Sequence, residues 1–159
     1  MTAGEAAAEA VGETTAQATG ETPGIDGLLG RAREQIDRVT PAQALAEAGE
    51  GALIVDTRPV EQRARHGEVD LPGVLVVDRN VLEWRLDPTS GAALPQADAG
   101  ARVLVLCQQG YSSSLAAQAL REIGVRRAGD VVGGFEAWLA DGLPVRAWDS
   151  SPEAVTGAT

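Results

Sequence analysis

At 159 residues with 44% apolar side chains, the chain has material for one ordinary core and makes a two-domain arrangement unexpected. A net charge of −10 and a pI near 4.5 leave no basic stripe of the kind that nucleic-acid phosphates require, so nucleic acid is excluded as an expected partner. One cysteine and one histidine exclude an internal disulfide framework and supply no recognisable zinc ligand set, so neither metal nor cofactor is expected.

Residues 1–24 are mostly Ala, Glu, Thr and Gly, with no aromatic and no basic residue. Such a composition cannot bury enough surface to offset its ordering entropy, and it reads as a disordered acidic arm. Glu5 and Glu9 stand where a secretory leader would carry positive charge, and no run of about 18 apolar residues exists anywhere in the chain. A cytoplasmic protein without membrane association is therefore expected. From Ile25 to Gln35, Ile25, Leu28, Leu29 and Ala32 recur at helical spacing, with Arg31 and Arg33 toward the helix end.

Arg38-Val39 reads as a short extended segment. Thr40-Pro41 is an N-cap followed by proline at the first helical position, with Gln43 placed for a capping box, and the helix runs to about Ala48. Gly49-Glu50-Gly51 stops it. Ala52 to Asp56 is a continuous apolar run of strand length, as in a parallel strand buried on both faces, and it leads into Thr57-Arg58-Pro59. Val60–Arg65 reads as a short helix, Asp70-Leu71-Pro72-Gly73 as a turn, Val74–Val77 as a strand, Asn80–Arg85 as a helical turn, and Asp87–Gly100 as irregular loop.

Arg102–Leu106 is another strand-length apolar run. Cys107 opens the polar loop after it, and Ser113–Ile123 has the pattern of a helix opening with serines. The backbone N–H groups of residues 108–114 can turn inward around a sulfur there, while the helix presents its positive dipole end. Such a setting favours thiolate over thiol; the same pattern also accommodates a buried structural cysteine. Asp130-Val131-Val132 reads as a last strand, and Gly133 to Gly142 as a helix bracketed by glycines. From about Ala147 the chain reverts to small polar residues, a flexible tail over 147–159. The body of the protein is thus expected over 25–146.

Strands alternating with helices predict an open, mostly parallel sheet with helices on both faces, and ligands bind outside the carboxyl ends of such strands. Asp56, Arg58 and Cys107 all fall at those ends. That shared position makes one candidate site of three scattered residues.

Three segments together resemble a rhodanese-type sulfurtransferase domain over about Ile36 to Val145. They are Leu53-Ile54-Val55-Asp56-Thr57-Arg58 with His66-Gly67-Glu68-Val69-Asp70-Leu71-Pro72-Gly73; Val103 to Ser113; and Gly133-Gly134-Phe135-Glu136-Ala137-Trp138 with Gly142-Leu143-Pro144. The resemblance implies a five-stranded parallel sheet, a persulfide-carrying cysteine at Cys107, and an active loop of six residues from Cys107 to Ser112. Gln108, Gln109, Gly110, Tyr111, Ser112 and Ser113 would offer backbone amides, and Asp56 with Arg58 would brace the loop or touch substrate. The implied partners are a small sulfur donor or a persulfidated protein, and a thiol acceptor; the oligomeric state is left open.

Related phosphatases use a longer loop that closes with an arginine, whereas this chain has Ser113 there. Many family members carry Arg or Lys after the cysteine or at the loop's end, where this chain has Gln108, Gln109 and Ser112. Thiosulfate is therefore expected to bind poorly unless Arg58, Arg85 or another distant arginine supplies charge, and an arginine placed at 108 is expected to strengthen it. His66 is given little catalytic weight, because a preformed thiolate needs no general base. Trp84, Phe135 and Trp138 are expected in the core. The expected activity is sulfur transfer through a Cys107 persulfide. The alternative is a non-catalytic rhodanese-like module that binds a partner or senses oxidants through Cys107, with phosphatase or arsenate reductase chemistry ranked last.

Overall fold

The structure is a computed structural model that describes residues 22–150. All but the last three positions of the expected acidic arm, and the expected tail beyond residue 150, lie outside the described residues. In chain order the elements are α1 (Gly24–Glu34), β1 (Asp37–Val39), α2 (Pro41–Gly49), β2 (Leu53–Asp56), α3 (Val60–His66), β3 (Glu68–Val69), β4 (Leu75–Val76), a 3₁₀ turn (Arg79–Val81), α4 (Leu82–Leu86), β5 (Arg102–Leu106), α5 (Ser112–Glu122), β6 (Arg127–Val131), α6 (Gly134–Ala140) and β7 (Val145–Arg146). The five longer-range strands form one parallel sheet in the order β1-β6-β5-β2-β4, so β5 is central.

The apolar runs are continuous because both faces of the sheet are covered. Along β5, Val103 and Val105 face a core with Leu82 and Leu86 of α4 and Ala116, Ala117 and Leu120 of α5. Leu104 and Leu106 face the opposite core, with Ala44 of α2 and Phe135 and Trp138 of α6. The open parallel sheet with helices on both faces, expected from the alternation of elements, is the observed fold. α2 begins with the expected capping box: the Gln43 N–H donates to Thr40 Oγ1 at 3.2 Å, and the Thr40 N–H to Gln43 Oε1 at 2.9 Å.

Two expectations need correction. Trp84 is 60% exposed rather than core, because Leu82 and Leu86, four residues apart on α4, take its inward stripe and turn position 84 to solvent. Phe135 and Trp138 are fully buried, as expected. The last strand runs over Arg127–Val131 rather than starting at Asp130. Arg127-Ala128-Gly129 has little strand propensity, and it is strand because β1 and β5 flank it with backbone partners. β3 and β7 pair as a separate antiparallel ribbon, Glu68 opposite Arg146 and Val69 opposite Val145. Two residues per strand are too few to show a period, so the sequence gives no sign of this ribbon.

β1 passes close over Gly129 of β6, since a Cβ built there would run into the Asp37 carbonyl oxygen. Gly129→Ala is expected to destabilise the fold by about 2 kcal/mol through overpacking against backbone. A urea unfolding curve checks it; an unchanged midpoint would mean that β1 steps aside without loss.

Candidate functional site

The central strand ends at Leu106, whose carbonyl accepts from the Thr57 N–H at 3.0 Å and the Thr57 hydroxyl at 3.1 Å. The chain must then turn sharply to enter α5. Gly110, at φ +85°, allows the turn, and any Cβ there would lie 2.6 Å from the Gly133 nitrogen. The loop is seated on the start of α6: the Phe135 N–H donates to the Cys107 carbonyl at 2.8 Å and the Glu136 N–H to the Gln108 carbonyl at 3.1 Å. Gly134 makes that approach possible, because a Cβ at 134 would collide with the Cys107 carbonyl oxygen.

The result is a backbone cradle around sulfur. Cys107 Sγ accepts from the Gly110 N–H at 3.2 Å and the Ser113 N–H at 3.4 Å, and the residue is only 6% exposed. The N–H groups of Gln109, Tyr111 and Ser112 have no hydrogen-bond partner among the described residues. Burial pushes the thiol pKa up, but hydrogen bonds from the hydroxyls of Ser113 and Ser112 and from the amides of Ser113 and Gly110 push it down, and the balance falls below the ordinary value. Ser113 has one hydroxyl proton, and its oxygen lies 2.8 Å from Asp130 Oδ2. Where that proton serves Asp130, the two amides remain as uncontested donors to sulfur, aided by the dipole of α5.

On the β2 side, Arg58 and Asp56 are buried together. Arg58 Nε donates to both Asp56 carboxylate oxygens and its Nη2 to Oδ2 at 2.9 Å. The same guanidinium bonds the Gly67 carbonyl at 2.8 Å and Gln108 Oε1 at 3.0 Å, and lies 4.0 Å from the centre of the Phe135 ring. This arrangement ties the strand end, the loop and α6 into one unit. Gln108 Nε2 donates to Glu136 at 3.3 Å. The Gln108 side chain thus engages Arg58 and Glu136, and an arginine at 108, expected from the sequence to strengthen thiosulfate binding, would set a second guanidinium against Arg58. His66, at the end of α3, is exposed. Arg85 donates to the Ala92 carbonyl at 2.9 Å.

On the opposite side, four residues that sequence reasoning did not single out meet at the loop. Asp130 is fully buried and accepts from Arg38 Nε at 2.9 Å, and from the Ser113 and Ser114 hydroxyls, both at 2.8 Å. Arg38 and Asp130 are direct cross-strand neighbours of β1 and β6. Both Arg38 Nη2 and Arg33 Nη2 donate to the Gly110 carbonyl at 2.9 Å, and Arg33 Nε donates to Ser114 Oγ at 3.0 Å. The loop carries no cation of its own, but two guanidinium groups reach it from elements 70 to 80 residues earlier in the chain.

The family model of the Rhodanese-like domain matches residues 40–141. The chain is similar to Adenylyltransferase and sulfurtransferase MOCS3-2 of Zea mays, 37% identical over 98 residues that make up 61% of this chain and 19% of that protein. It therefore spans about a fifth of that relative's length. Thiosulfate sulfurtransferase GlpE of Pseudomonas entomophila is 35% identical over 107 residues, covering 65% of this chain and 85% of that protein. Among solved structures, a protein of unknown function from Rhodopseudomonas palustris, described as a possible tyrosine phosphatase, superposes with a TM-score of 0.70 at 32% identity, covering 79% of this chain and 96% of that one. The polysulfide-sulfur transferase homodimer of Wolinella succinogenes superposes with a TM-score of 0.64 at 23% identity, covering 79% and 89%, a likeness of fold. No helix among the described residues is long and apolar enough to cross a membrane.

The lowered thiol pKa sets a pH dependence. Alkylation of Cys107 by iodoacetamide is expected to titrate at lower pH than that of an ordinary free cysteine. By linkage, the native chain gains stability relative to Cys107→Ser as pH rises through the folded midpoint, and the gain levels off above the unfolded value of about 8.5. Denaturation at several pH values checks the sign; a difference that shrinks as pH rises would mean the thiol pKa is raised.

Proposed function

Since this chain belongs to the rhodanese-like domain family, we propose that it is a sulfurtransferase that carries sulfane sulfur as a persulfide on Cys107, acting in the cytoplasm, where a free thiol stays reduced. The observation that carries this reading is the cradle itself: a sulfur held by two amides, with three further N–H groups of the same loop that have no partner among the described residues.

The Cys107 thiolate attacks the outer sulfur of a donor. A new S–S bond forms on Cys107, the bond between that sulfur and the donor breaks, and the leaving group departs with the electron pair: sulfite from thiosulfate, a thiolate from a persulfide. An acceptor thiolate then attacks the terminal sulfur and Cys107 departs as thiolate. The persulfide is anionic at its outer atom, one bond further out than Sγ, where the open N–H groups of Gln109, Tyr111 and Ser112 can meet it as an oxyanion hole meets oxygen. No general base is required, consistent with the exposed position of His66.

Tyrosine phosphatase chemistry, the possibility attached to the Rhodopseudomonas palustris protein, is not proposed for this chain. Related phosphatases close a longer loop with an arginine, and position 113 here is a buried serine committed to Asp130.

Cys107→Ser is expected to retain the fold, since hydroxyl and thiol differ little in size, and to lose sulfur loading entirely, because serine forms no comparable anion near neutral pH. Whole-protein mass after incubation with thiosulfate, and separately with a persulfidated thiol, reads this directly. Gain of one sulfur atom by the native chain alone supports the proposal; equal gain by the variant, or none by the native chain with either donor, contradicts it.

A further inference from the structure

We propose that Arg33 is a positioning residue that completes the Cys107 loop from outside the matched domain and makes the site favour anionic over neutral sulfur donors; the donor class rests on the sulfur-transfer reading above. Arg33 lies on α1, before residue 40 where the family match begins. Its Nη2 donates to the Gly110 carbonyl at 2.9 Å, and its Nε to Ser114 Oγ at 3.0 Å, which in turn donates to Asp130 at 2.8 Å.

Charge pairing separates the two arginines on that carbonyl. Arg38 is held by both carboxylate oxygens of Asp130, at 2.9 and 3.2 Å, and is largely neutralised. Arg33 has no carboxylate partner among the described residues, and its guanidinium lies 5.7 Å from the centre of the half-exposed Tyr111 ring. Its positive charge is therefore the uncompensated one at a loop with no cation of its own, on a chain whose net charge of −10 otherwise repels anions. Burial and then Arg38 lower the Arg33 pKa, while Asp130, Tyr111 and Cys107 raise it, so Arg33 and the sulfur are within electrostatic reach of each other. A guanidinium stays protonated throughout.

Peptide geometry carries the rest of the argument. The bond between Gly110 and Tyr111 is trans, so its carbonyl and N–H point in opposite directions. With two guanidinium groups holding the Gly110 carbonyl on the α1 side, the partnerless Tyr111 N–H is directed the other way and polarised toward any anion that approaches. Arg33 thus acts through the loop backbone and through its field.

The test compares two alkylating reagents of the same chemistry and different charge, iodoacetate and iodoacetamide, on the full chain, Arg33→Gln and Arg33→Lys. The other charged or titratable groups around the loop, Arg38, Asp130, Tyr111, Glu136 and the Asp56–Arg58 pair, are unchanged in all three. In Arg33→Gln the iodoacetate-to-iodoacetamide rate ratio at low salt is expected to fall about fivefold, the size of one partly screened charge, and the alkylation midpoint of Cys107 to move to higher pH. Arg33→Lys restores part of the ratio, and in the native chain the ratio falls as salt rises. The same Arg33→Gln change is expected to raise KM for thiosulfate more than for a neutral organic trisulfide. A ratio unchanged by Arg33→Gln, or a native ratio independent of salt, overturns the proposal, and the second readout holds even if Gln at 33 prevents folding. A lowered ratio in a protein that accepts sulfur from no donor would support the role of Arg33 and refute sulfur transfer.

Discussion

A carboxylate with no exposure to water must be matched by donors, and Asp130 is such a carboxylate. Arg38 meets it from the neighbouring strand, and the Ser113 and Ser114 hydroxyls meet it from the first turn of α5. Those bonds fix where α5 begins relative to the end of β5, and the five residues between them, Cys107 to Tyr111, have little freedom left. Removing Arg38 would leave the buried Asp130 charge to two neutral hydroxyls, a loss of its only ionic partner among the described residues. The position of the Ser113 amide at the sulfur is a consequence of this neutralisation.

A second buried pair, Asp56 with Arg58, fixes the other side of the loop through Gln108 and the Gly67 carbonyl. Between the two clamps the loop can present backbone N–H groups to one point without a charged side chain among them. The design separates two tasks. Neutral amides hold the sulfur anion at close range, and guanidinium groups behind the backbone set the field in which it forms. A thiolate so held needs no partner base, and under the proposed sulfur transfer the N–H groups of Gln109, Tyr111 and Ser112, not the two already on Sγ, would meet the charge further out.

The sheet and the cysteine were readable because each depends on local pattern. The runs Leu53–Val55 and Val103–Leu106 are continuous and apolar, Gly-rich segments break the helices, and Cys107 stands directly after the second run. Strand-end position then drew Asp56 and Arg58 toward it, and the structure brings all three to one end of the sheet. The Arg33–Arg38–Asp130–Ser114 cluster was not readable, because it depends on register. Arg38 meets Asp130 only once β1 lies beside β6, and those residues are 92 positions apart in the chain. One signal was present: Asp130 opens an apolar pair and follows a glycine, a poor place for an exposed acid and a fair place for a buried, partnered one. Trp84 was misplaced for a simpler reason, since a five-residue helix has room for only one inward stripe, and Leu82 and Leu86 occupy it. The direction of the Gln108 side chain, toward Arg58 and Glu136, is not legible either, because adjacency to Cys107 in sequence says nothing of side-chain direction at a turn.

The central claim is that open amides of this loop receive the outer sulfur of a Cys107 persulfide. Amide proton shifts of the free and sulfur-loaded protein, compared residue by residue, test it most directly. The account predicts downfield movement of the Gln109, Tyr111 and Ser112 N–H signals on loading, as each gains a charge-assisted hydrogen bond, with the Phe135 and Glu136 amides that seat the loop nearly unmoved. Loading that leaves those three signals in place would contradict it.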